Sequence, residues 1–238
     1  MTEIGPASNN EPPLTDEELM DFREWREERN QPKRIIVGIS GASMQQYGIR
    51  TVEVLSQTPN IETHCVITEG AKYVMALEMF PSYSLNQAME QIQTLIDDFQ
   101  EKGVTFHNNN DQGQAISSGS YLTDAMIVIP CSAKTLHRIA WASDDDLLSR
   151  AAFCTLKEHG RSLVVVPRET PITLAYIDNL RELKRNGACI LPPVPAFYNG
   201  PQDIQGIIDH TVGKVLDQLR IPHNLYKRWS TPKEQNLN

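Results

Sequence analysis

Small, hydroxyl-bearing and charged residues follow directly after apolar runs of this sequence, where they could bind an anion. Ser40-Gly41-Ala42-Ser43 follows the first apolar run, and Thr68 follows the second. Pro130-Cys131-Ser132-Ala133-Lys134-Thr135 and Pro167-Arg168-Glu169-Thr170-Pro171 follow two later runs. Hydroxyl oxygens, and the free backbone amides at the start of a helix, are suited to phosphate contacts. The four segments therefore predict a pocket for a phosphate-bearing ligand, although a structural sheet would place some hydroxyl caps here too.

The first of these segments does not match a known phosphate-binding fingerprint in full. Ser40–Ser43 lacks the complete glycine pattern of a dinucleotide site and the lysine of a P-loop. Taken alone, it also fits an ordinary turn between a strand and a helix. The prediction of a site rests on the recurrence of such turns.

Two cations are spaced to act together. Arg150 and Lys157 lie seven residues apart in one helical stretch, so they are predicted to share a face of the helix. A lone basic residue is usually a solvated surface charge, and Lys157, next to Glu158, could simply interact with the helix dipole. Arg150 is less easily explained in this way, because it lies among alanines and apolar residues.

Strand and helix signals alternate along the chain and would position these residues. Buried strands are predicted at Arg34–Ile39, Thr63–Thr68, Ala125–Pro130, Leu163–Pro167 and Ala188–Leu191. Helices are predicted after Ser43 and at Ser84–Phe99, Leu147–Glu158 and Ile204–Leu219. Repeated β–α units predict an α/β fold, a parallel sheet with helices on both faces. Ligands of such sheets bind outside the carboxyl ends of the strands, where the four segments lie.

Composition narrows the class of protein. A chain of 238 residues that is 40% hydrophobic can bury one substantial core, so a single domain with an extension is expected. We find no apolar run of membrane-spanning length, and we expect no membrane association. The four cysteines form no C-x-x-C pair, which favours buried thiols in a reducing, cytoplasmic compartment over disulfides or a metal site. The net charge of -8 argues against a nucleic-acid partner.

Much of the negative charge lies at the N-terminus. Residues 1–32 contain nine acidic residues and three arginines. Residues 1–13 have a disordered composition, and Leu14–Leu19 then predicts the start of a short acidic helix, with Thr15 and Glu18 as its capping box. We expect residues 1–32 to be an extension, either solvated or docked, before a domain of residues 33–230 and a flexible tail of residues 231–238.

Seven collinear motifs resemble those of the UbiX-type flavin prenyltransferases. They are Gly41-Ala42-Ser43 with Tyr47-Gly48, Ser117-Ser118-Gly119-Ser120, Pro130-Cys131-Ser132, Arg150-Ala151-Ala152, Leu156-Lys157-Glu158, Pro167-Arg168-Glu169-Thr170-Pro171 and Leu191-Pro192-Pro193-Val194-Pro195-Ala196-Phe197-Tyr198. Each motif alone is weak, but seven in order from about Lys33 to Trp229 are highly specific.

The resemblance implies a flavodoxin-like (Rossmann-like) doubly wound sheet in three α/β/α layers, with FMN as the flavin. It implies transfer of a dimethylallyl group from dimethylallyl phosphate to N5 and then C6 of reduced FMN. The product, prenylated FMN, would pass to a UbiD-type decarboxylase. The resemblance also implies a homo-oligomer, with a dodecamer as one expectation. We expect no metal, because arginine and lysine can stabilise the departing phosphate.

The resemblance also assigns roles to individual residues. It implies that Glu169 and Ser43 handle the proton lost from the flavin ring, and that Lys157 assists catalysis by binding the leaving phosphate. The implied FMN contacts are Gly41, Ala42, Ser43, Thr68, Ser132, Ala133, Lys134, Thr135 and Arg168, and the implied donor contacts are Arg150, Lys157, Tyr198 and Lys214. Glu78 matches a further acidic position near the site. Glu169 could instead be only a partner for Arg168, and each hydroxyl could be only a helix cap.

Two departures from the family pattern leave alternatives open. Met44 stands where a glycine is usual, so its side chain could crowd the flavin or shift the backbone. Glu69 follows Thr68 where a lysine is common. One alternative function is therefore a non-catalytic FMN-binding subunit associated with a decarboxylase. Another is a flavin-dependent cysteine decarboxylase, although the Pro-x-Met-Asn motif and the histidine expected of that class are not found.

Overall fold

The computed structural model describes residues 31–229 of the chain. The described residues from Lys33 onward belong to one unit. The helix predicted near Thr15 and the tail predicted at residues 231–238 lie outside the described residues, so both stay predictions.

Six strands and seven α-helices make up the described part of the chain. The strands are β1 Lys33–Ile39, β2 Ile61–Ile67, β3 Thr105–His107, β4 Ala125–Cys131, β5 Ser162–Pro167 and β6 Cys189–Ile190. The helices are α1 Gln45–Ser56, α2 Glu69–Met79, α3 Leu85–Glu101, α4 Ala133–Ala140, α5 Leu147–Lys157, α6 Leu174–Arg185 and α7 Ile204–Gln218. A single 3-10 turn, Ala115–Ser117, lies between β3 and β4.

The strands form one parallel sheet in the order β3-β2-β1-β4-β5-β6. This is the strand order of doubly wound Rossmann sheets, so the predicted flavodoxin-like (Rossmann-like) fold is confirmed. The order reverses between β1 and β4, and a crevice opens at such a point beyond the carboxyl ends of the strands. The turns after β1 and β4 therefore flank the expected ligand position.

Two apolar cores cover the faces of the sheet. Helices α1, α2, α3 and α7 pack on one face through residues such as Leu55, Met75 and Val212. Helices α4, α5 and α6 pack on the other through residues such as Leu136 and Leu148. Strands buried on both sides explain the near-continuous apolar runs, since neither face is left to water.

Strand β3 and the bounds of three helices were not predicted from the sequence. Strand β3 has three residues, and α2, α4 and α6 were not given bounds. The predicted strands and helices agree with the structure within a few residues at their ends. The strands were found because their apolar runs are long, whereas three residues of β3 carry no periodic signal.

The connection from β3 to β4 crosses the sheet with almost no regular structure. Residues 108–124, here called the crossover segment, contain only the turn Ala115–Ser117. The buried side chain of Ile116 packs with the α4, α5 and α6 core, so the crossover segment runs over that face. A connection of this length without secondary structure is uncommon and often functional.

The cysteines agree with the sequence-based prediction of free thiols. Cys65, Cys131 and Cys154 are buried, Cys189 is partly buried, and all four are unpaired. Burial raises the pKa of the Cys65 and Cys131 thiols well above the ordinary value, which keeps both protonated. Among residues 31–229 no helix is both long enough and apolar enough to cross a membrane.

Candidate functional site

The turn after β1 is joined to the turn after β4 by the buried hydroxyl of Ser40. The Ser40 hydroxyl donates to the Pro130 carbonyl at 3.0 Å and accepts from the Ser132 amide at 2.8 Å. Ser43, three residues further on, is half-buried. The Ser40 bridge therefore fixes the two loops that flank the reversal point of the sheet.

Gly41 allows this turn to approach the start of α2. A Cβ atom added at Gly41 would lie 2.9 Å from the carbonyl carbon of Gly70, so no larger residue fits without a shift of the backbone. The sequence-based reason for a small residue was close approach to a ligand. The structure adds a contact within the chain, between two backbone segments at the carboxyl edge of the sheet.

The amides at the start of α1 already receive a carboxylate of the chain itself. Glu78, in α2, accepts from the Met44 amide at 3.0 Å and from the Gln45 amide at 3.1 Å. The anion site predicted at this helix start is thus filled by Glu78 through these two amides. Glu78 belongs to the framework of the turn, which is a different role from a ligand contact.

Met44 keeps the backbone conformation that glycine would adopt. Its φ is 82° and its ψ is 39°, in the left-handed region that favours glycine. The usual glycine has therefore been replaced without a change of backbone region, at a cost in strain. Glu69, the second departure, pairs with Lys72 at 2.8 Å and is largely exposed.

Thr68, Ser132 and Thr135 present hydroxyl groups at two helix starts. Thr68 caps α2 by accepting from the Ala71 amide at 3.1 Å. Ser132 caps α4 by accepting from the Thr135 amide at 3.4 Å, and its own hydroxyl donates to Thr135 Oγ1 at 3.1 Å. Thr68 and Ser132 are therefore helix caps, which is one of the two roles that the sequence left open. Capping leaves a hydroxyl oxygen able to make further contacts.

Arg168 and Glu169 extend this edge at the end of β5. The Arg168 amide donates to the Cys131 carbonyl at 3.0 Å, and a Glu169 oxygen accepts from the Thr170 amide at 3.1 Å. No ion pair joins Arg168 to Glu169, and the side chains of Arg168 and Lys134 have no hydrogen-bond or ion-pair partner among residues 31–229. Glu169 is therefore available for other contacts.

Tyr176, in the first turn of α6, is a residue that sequence analysis missed. Its side chain is 5% exposed, and its buried hydroxyl has no hydrogen-bond partner among the described residues. Burial, followed by the nearby Cys131 and Glu169, raises the pKa of Tyr176 to about 12, while Arg168 opposes the shift. A tyrosine soon after the Pro167–Pro171 motif was the available signal.

Arg150 and Lys157 share a face of α5, as their spacing predicts, and both lie against the crossover segment. Arg150 Nε donates to the Ser117 carbonyl at 3.1 Å, and its guanidinium pairs with Asp144 at 2.6 Å. Lys157 Nζ pairs with Glu158 at 3.0 Å and lies close to Gly119. Hydrogen bonding to Asp144 raises the pKa of Arg150, which stays cationic.

Within one chain, Lys157 is distant from the hydroxyl groups of the carboxyl edge. Lys157 ends α5 just before the amino end of β5, whereas Arg168 follows the carboxyl end of the same strand. Six strand residues separate these two ends, which corresponds to roughly 20 Å. A single chain therefore does not bring Lys157 to Arg168.

Tyr198 and Lys214 form a third group, on the opposite face of the sheet from α5. The Tyr198 hydroxyl lies 3.2 Å from His210 Nε2, and its ring packs edge-on against Trp229 at 6.0 Å. Burial and the charge of Lys214 lower the pKa of His210. His210 is 6% exposed and was not singled out from the sequence.

The carboxyl edge suits an anionic cofactor that bears hydroxyl groups. It combines two capped helix starts, two cations without partners in the described part of the chain, and a close backbone approach at Gly41. Helix starts and unpaired cations favour a phosphate, and serine and threonine hydroxyls favour a polyol chain. The residues present therefore fit a flavin mononucleotide.

Comparison with known proteins agrees with this chemistry. The Flavoprotein family matches residues 24–221. Flavin prenyltransferase LpdB of Lactiplantibacillus plantarum is 44% identical over 197 residues, which cover 83% of this chain and 98% of that protein.

Two solved structures share the fold at similar identity. The dodecameric FMN-dependent UbiX-like decarboxylase of Escherichia coli O157:H7 is 41% identical, with a TM-score of 0.73, and the match covers 83% of this chain and all of that one. AnUbiX (PadA1), solved in complex with FMN and dimethylallyl pyrophosphate, is 38% identical with a TM-score of 0.73, over 84% of this chain and 99% of that one.

Proposed function

This chain belongs to the UbiX-like flavin prenyltransferases of the Flavoprotein family, and we propose that it joins a dimethylallyl group to reduced FMN at N5 and C6. The observation that carries the proposal is the carboxyl edge, where capped helix starts meet the unpaired Arg168 and the exposed Glu169. The reduced flavin supplies the nucleophilic ring atoms.

The basic residues and the acidic residue of the site have different roles in the reaction. Arg150, Lys157 and Lys214 stabilise the phosphate as the allylic carbon–oxygen bond breaks and its electron pair leaves with the oxygen. Tyr198 binds the same phosphate. Glu169 then takes the proton that the ring loses on closure, and Ser43 assists that proton transfer.

An assembly of several chains would unite the three separated groups of residues. We propose a homo-oligomer larger than a dimer, in which α5 and α7 of neighbouring chains complete each carboxyl edge. The dodecameric relative supports this, as do exposed apolar side chains on several helices. These include Tyr73, Leu77, Leu174, Ile177 and Ile204. Light scattering that reports a monomer at micromolar concentration would refute the assembly.

A UbiD-type decarboxylase is the proposed recipient of prenylated FMN. Prenylated FMN is a modified cofactor, so an enzyme that uses it must follow in the reaction sequence. We also propose a cytoplasmic location, which the free thiols support.

Incubation of the protein with reduced FMN and dimethylallyl phosphate without oxygen tests the reaction. We expect a flavin product heavier by one dimethylallyl unit, and a parallel incubation with the pyrophosphate determines the preferred donor. Binding of NAD without binding of flavin would contradict the cofactor assignment. Unmodified flavin with either donor, under conditions in which LpdB is active, would favour the non-catalytic FMN-binding alternative.

A further inference from the structure

Two histidines lie in direct contact away from the carboxyl edge. His64, in β2, is 4% exposed, and His107 ends β3. His64 Nδ1 lies 2.9 Å from His107 Nε2, and the rings are stacked with centroids 5.2 Å apart. No step of the proposed reaction uses either ring.

The remaining contacts of the pair determine where the protons lie. The Asp111 carboxylate only accepts hydrogen bonds, so the Gln114 amide nitrogen faces Asp111 and the Gln114 oxygen faces His107. His107 Nδ1 therefore donates to Gln114 Oε1, at 3.0 Å. In a neutral His107 the other ring nitrogen accepts, and His64 Nδ1 must supply the proton of the contact between the rings.

Each contact of the network has one donor and one acceptor when the His64 and His107 rings together carry one more proton than two neutral imidazoles. With both rings neutral, the unprotonated His64 Nε2 faces Glu62 Oε1 at 3.0 Å, and both atoms are acceptors. The Tyr121 hydroxyl, within 3.3 Å of both, has one proton and can satisfy only one of them. An added proton lets His64 Nε2 donate to Glu62, whereas a second would place two protons in the 2.9 Å contact.

The network holds the crossover segment at two points. His107 binds Gln114, and Glu62 with His64 binds the Tyr121 hydroxyl. Between these points, the Ser117 carbonyl accepts from Arg150, and Gly119 lies against Lys157. The two residues assigned to the phosphate thus rest on the part of the segment that lies between these two points.

We propose that His64 and His107 are positioning residues for the phosphate end of the prenyl donor, acting as a pair that shares one proton and fixes the crossover segment under Arg150 and Lys157. This inference rests on the proposed function. Neither histidine touches the donor. The pair sets donor affinity through the crossover segment and leaves the flavin contacts of the carboxyl edge unchanged.

The charges around the pair give the direction of its pH response. Among the described residues, Arg34 pairs with Glu62 at 2.8 Å, Asp124 accepts from the Arg34 amide, and Asp111 and Tyr121 also contact the network. Burial, and then the charge of His107, lower the pKa of His64, while Glu62 opposes the shift. A proton added to His64 therefore enters only below the ordinary histidine value of about 6.5. Donor affinity should rise when it does, because His64 Nε2 then donates to Glu62.

The test compares two variants with a matched control in the full-length protein. His107→Gln removes proton sharing, and Gln114→Leu releases the segment while the histidine pair stays intact. His137→Gln changes an exposed histidine of α4 and serves as the control. Calorimetry measures the Kd of dimethylallyl phosphate with oxidised FMN present, and hydrogen exchange measures protection of residues 108–124.

We expect both variants to weaken donor binding about tenfold at pH 7.5, because small misplacements of binding groups are costly. FMN affinity should stay within twofold of wild type, and exchange of the crossover segment should rise. The donor's own second ionisation, at a pKa of about 6, affects every protein equally. The ratio of variant to wild-type Kd isolates the pair, and for both variants it should grow as the pH falls below about 6.5.

Several results would overturn the proposal. One is unchanged exchange of residues 108–124 in both variants, and another is faster exchange with unchanged donor affinity. A Kd ratio that does not vary with pH would also refute the shared proton. If the wild type binds the donor but forms no product, the proposed function alone fails. If it does not bind the donor, both fail.

Discussion

At the carboxyl edge, Arg168 and Lys134 have no partner among residues 31–229, whereas on α5 Arg150 and Lys157 are paired with Asp144 and Glu158. Both regions are assigned to phosphate groups, yet only one is electrostatically complete within the chain. A cation without a partner is ready for a ligand. When a phosphate binds, a cation that is paired with a carboxylate must contact both groups or release the carboxylate.

The difference indicates separate tasks for the two regions. Unpaired groups at the carboxyl edge can bind the flavin phosphate without first releasing a partner. Paired groups on α5 are held in position, and the pairing limits their charge until a doubly charged phosphate competes. The pairs on α5 are partly exposed, so they contribute little to stability, and their value lies in placement.

The largest expected effect is at Glu169, on the unpaired side of the comparison. Glu169→Gln keeps the shape of the side chain but removes the base. A positioned general base contributes about 10²–10⁴-fold, so closure of the new ring should slow by that factor while FMN and donor binding persist. Anaerobic flavin absorbance and product mass resolve the two steps. Ring closure at the wild-type rate would leave Glu169 without the role of base.

A variant of Lys157 tests the role of the paired cations on α5. Lys157→Ala should slow the first bond-forming step about 10²-fold, because a cation at the leaving phosphate is lost. Glu158→Gln is the matched variant, since it keeps Lys157 and removes its partner, and it should lower the Kd of dimethylallyl phosphate. Equal kinetics for both variants would mean that the ion pair, and not the free charge of Lys157, is what matters.

Asp217 extends the comparison to a cluster whose carboxylate is fully paired. Burial alone would raise the pKa of Asp217, but hydrogen bonds from Arg228, Tyr226 and His223 lower it below the ordinary value. The carboxylate therefore stabilises the fold above its unfolded-state pKa of about 4, and the contribution is lost as the pH falls through the lower folded value.

Asp217→Asn should consequently reduce the free energy of unfolding by about 2 kcal/mol at pH 7, the scale of hydrogen bonds to a charged group. The gap from wild type should close in acid, as denaturant unfolding at several pH values would show. Asp178→Asn breaks an exposed pair with Arg181 and should cost less than about 0.5 kcal/mol. A gap that stays the same size from pH 7 down to pH 2 would contradict the assignment.

The smallest effect is expected at Met44, next to the unpaired edge. Met44→Gly should raise the free energy of unfolding by about 0.5–1 kcal/mol, because a left-handed φ of 82° strains methionine and not glycine. Asn60, at φ 58°, is a control, since asparagine tolerates this region and Asn60→Gly should gain less. A destabilised Met44→Gly protein would show that the methionine side chain contributes packing that outweighs the strain.

Five of the six strands could be predicted, because each lies in an apolar run of the sequence. The same rule located Ser43, Thr68, Ser132, Arg168 and Glu169 at one edge, since carboxyl ends of parallel strands meet there. Roles for Tyr198 and Lys214 came from the resemblance alone. Strand β3 was not predicted, nor was the buried Tyr176 hydroxyl, which has no hydrogen-bond partner among the described residues. Neither produces a periodic pattern in the sequence.

Local sequence by itself determined the α/β class, the polar turns and the shared face of Arg150 and Lys157, since each depends on residues close together in the chain. Only the tertiary structure decided that Glu78 fills the start of α1, that Lys157 lies at the far edge of the sheet, and that His64 meets His107. These contacts join residues tens of positions apart, and strand order and helix packing bring them together. The spacing of residues along the chain does not encode such long-range contacts.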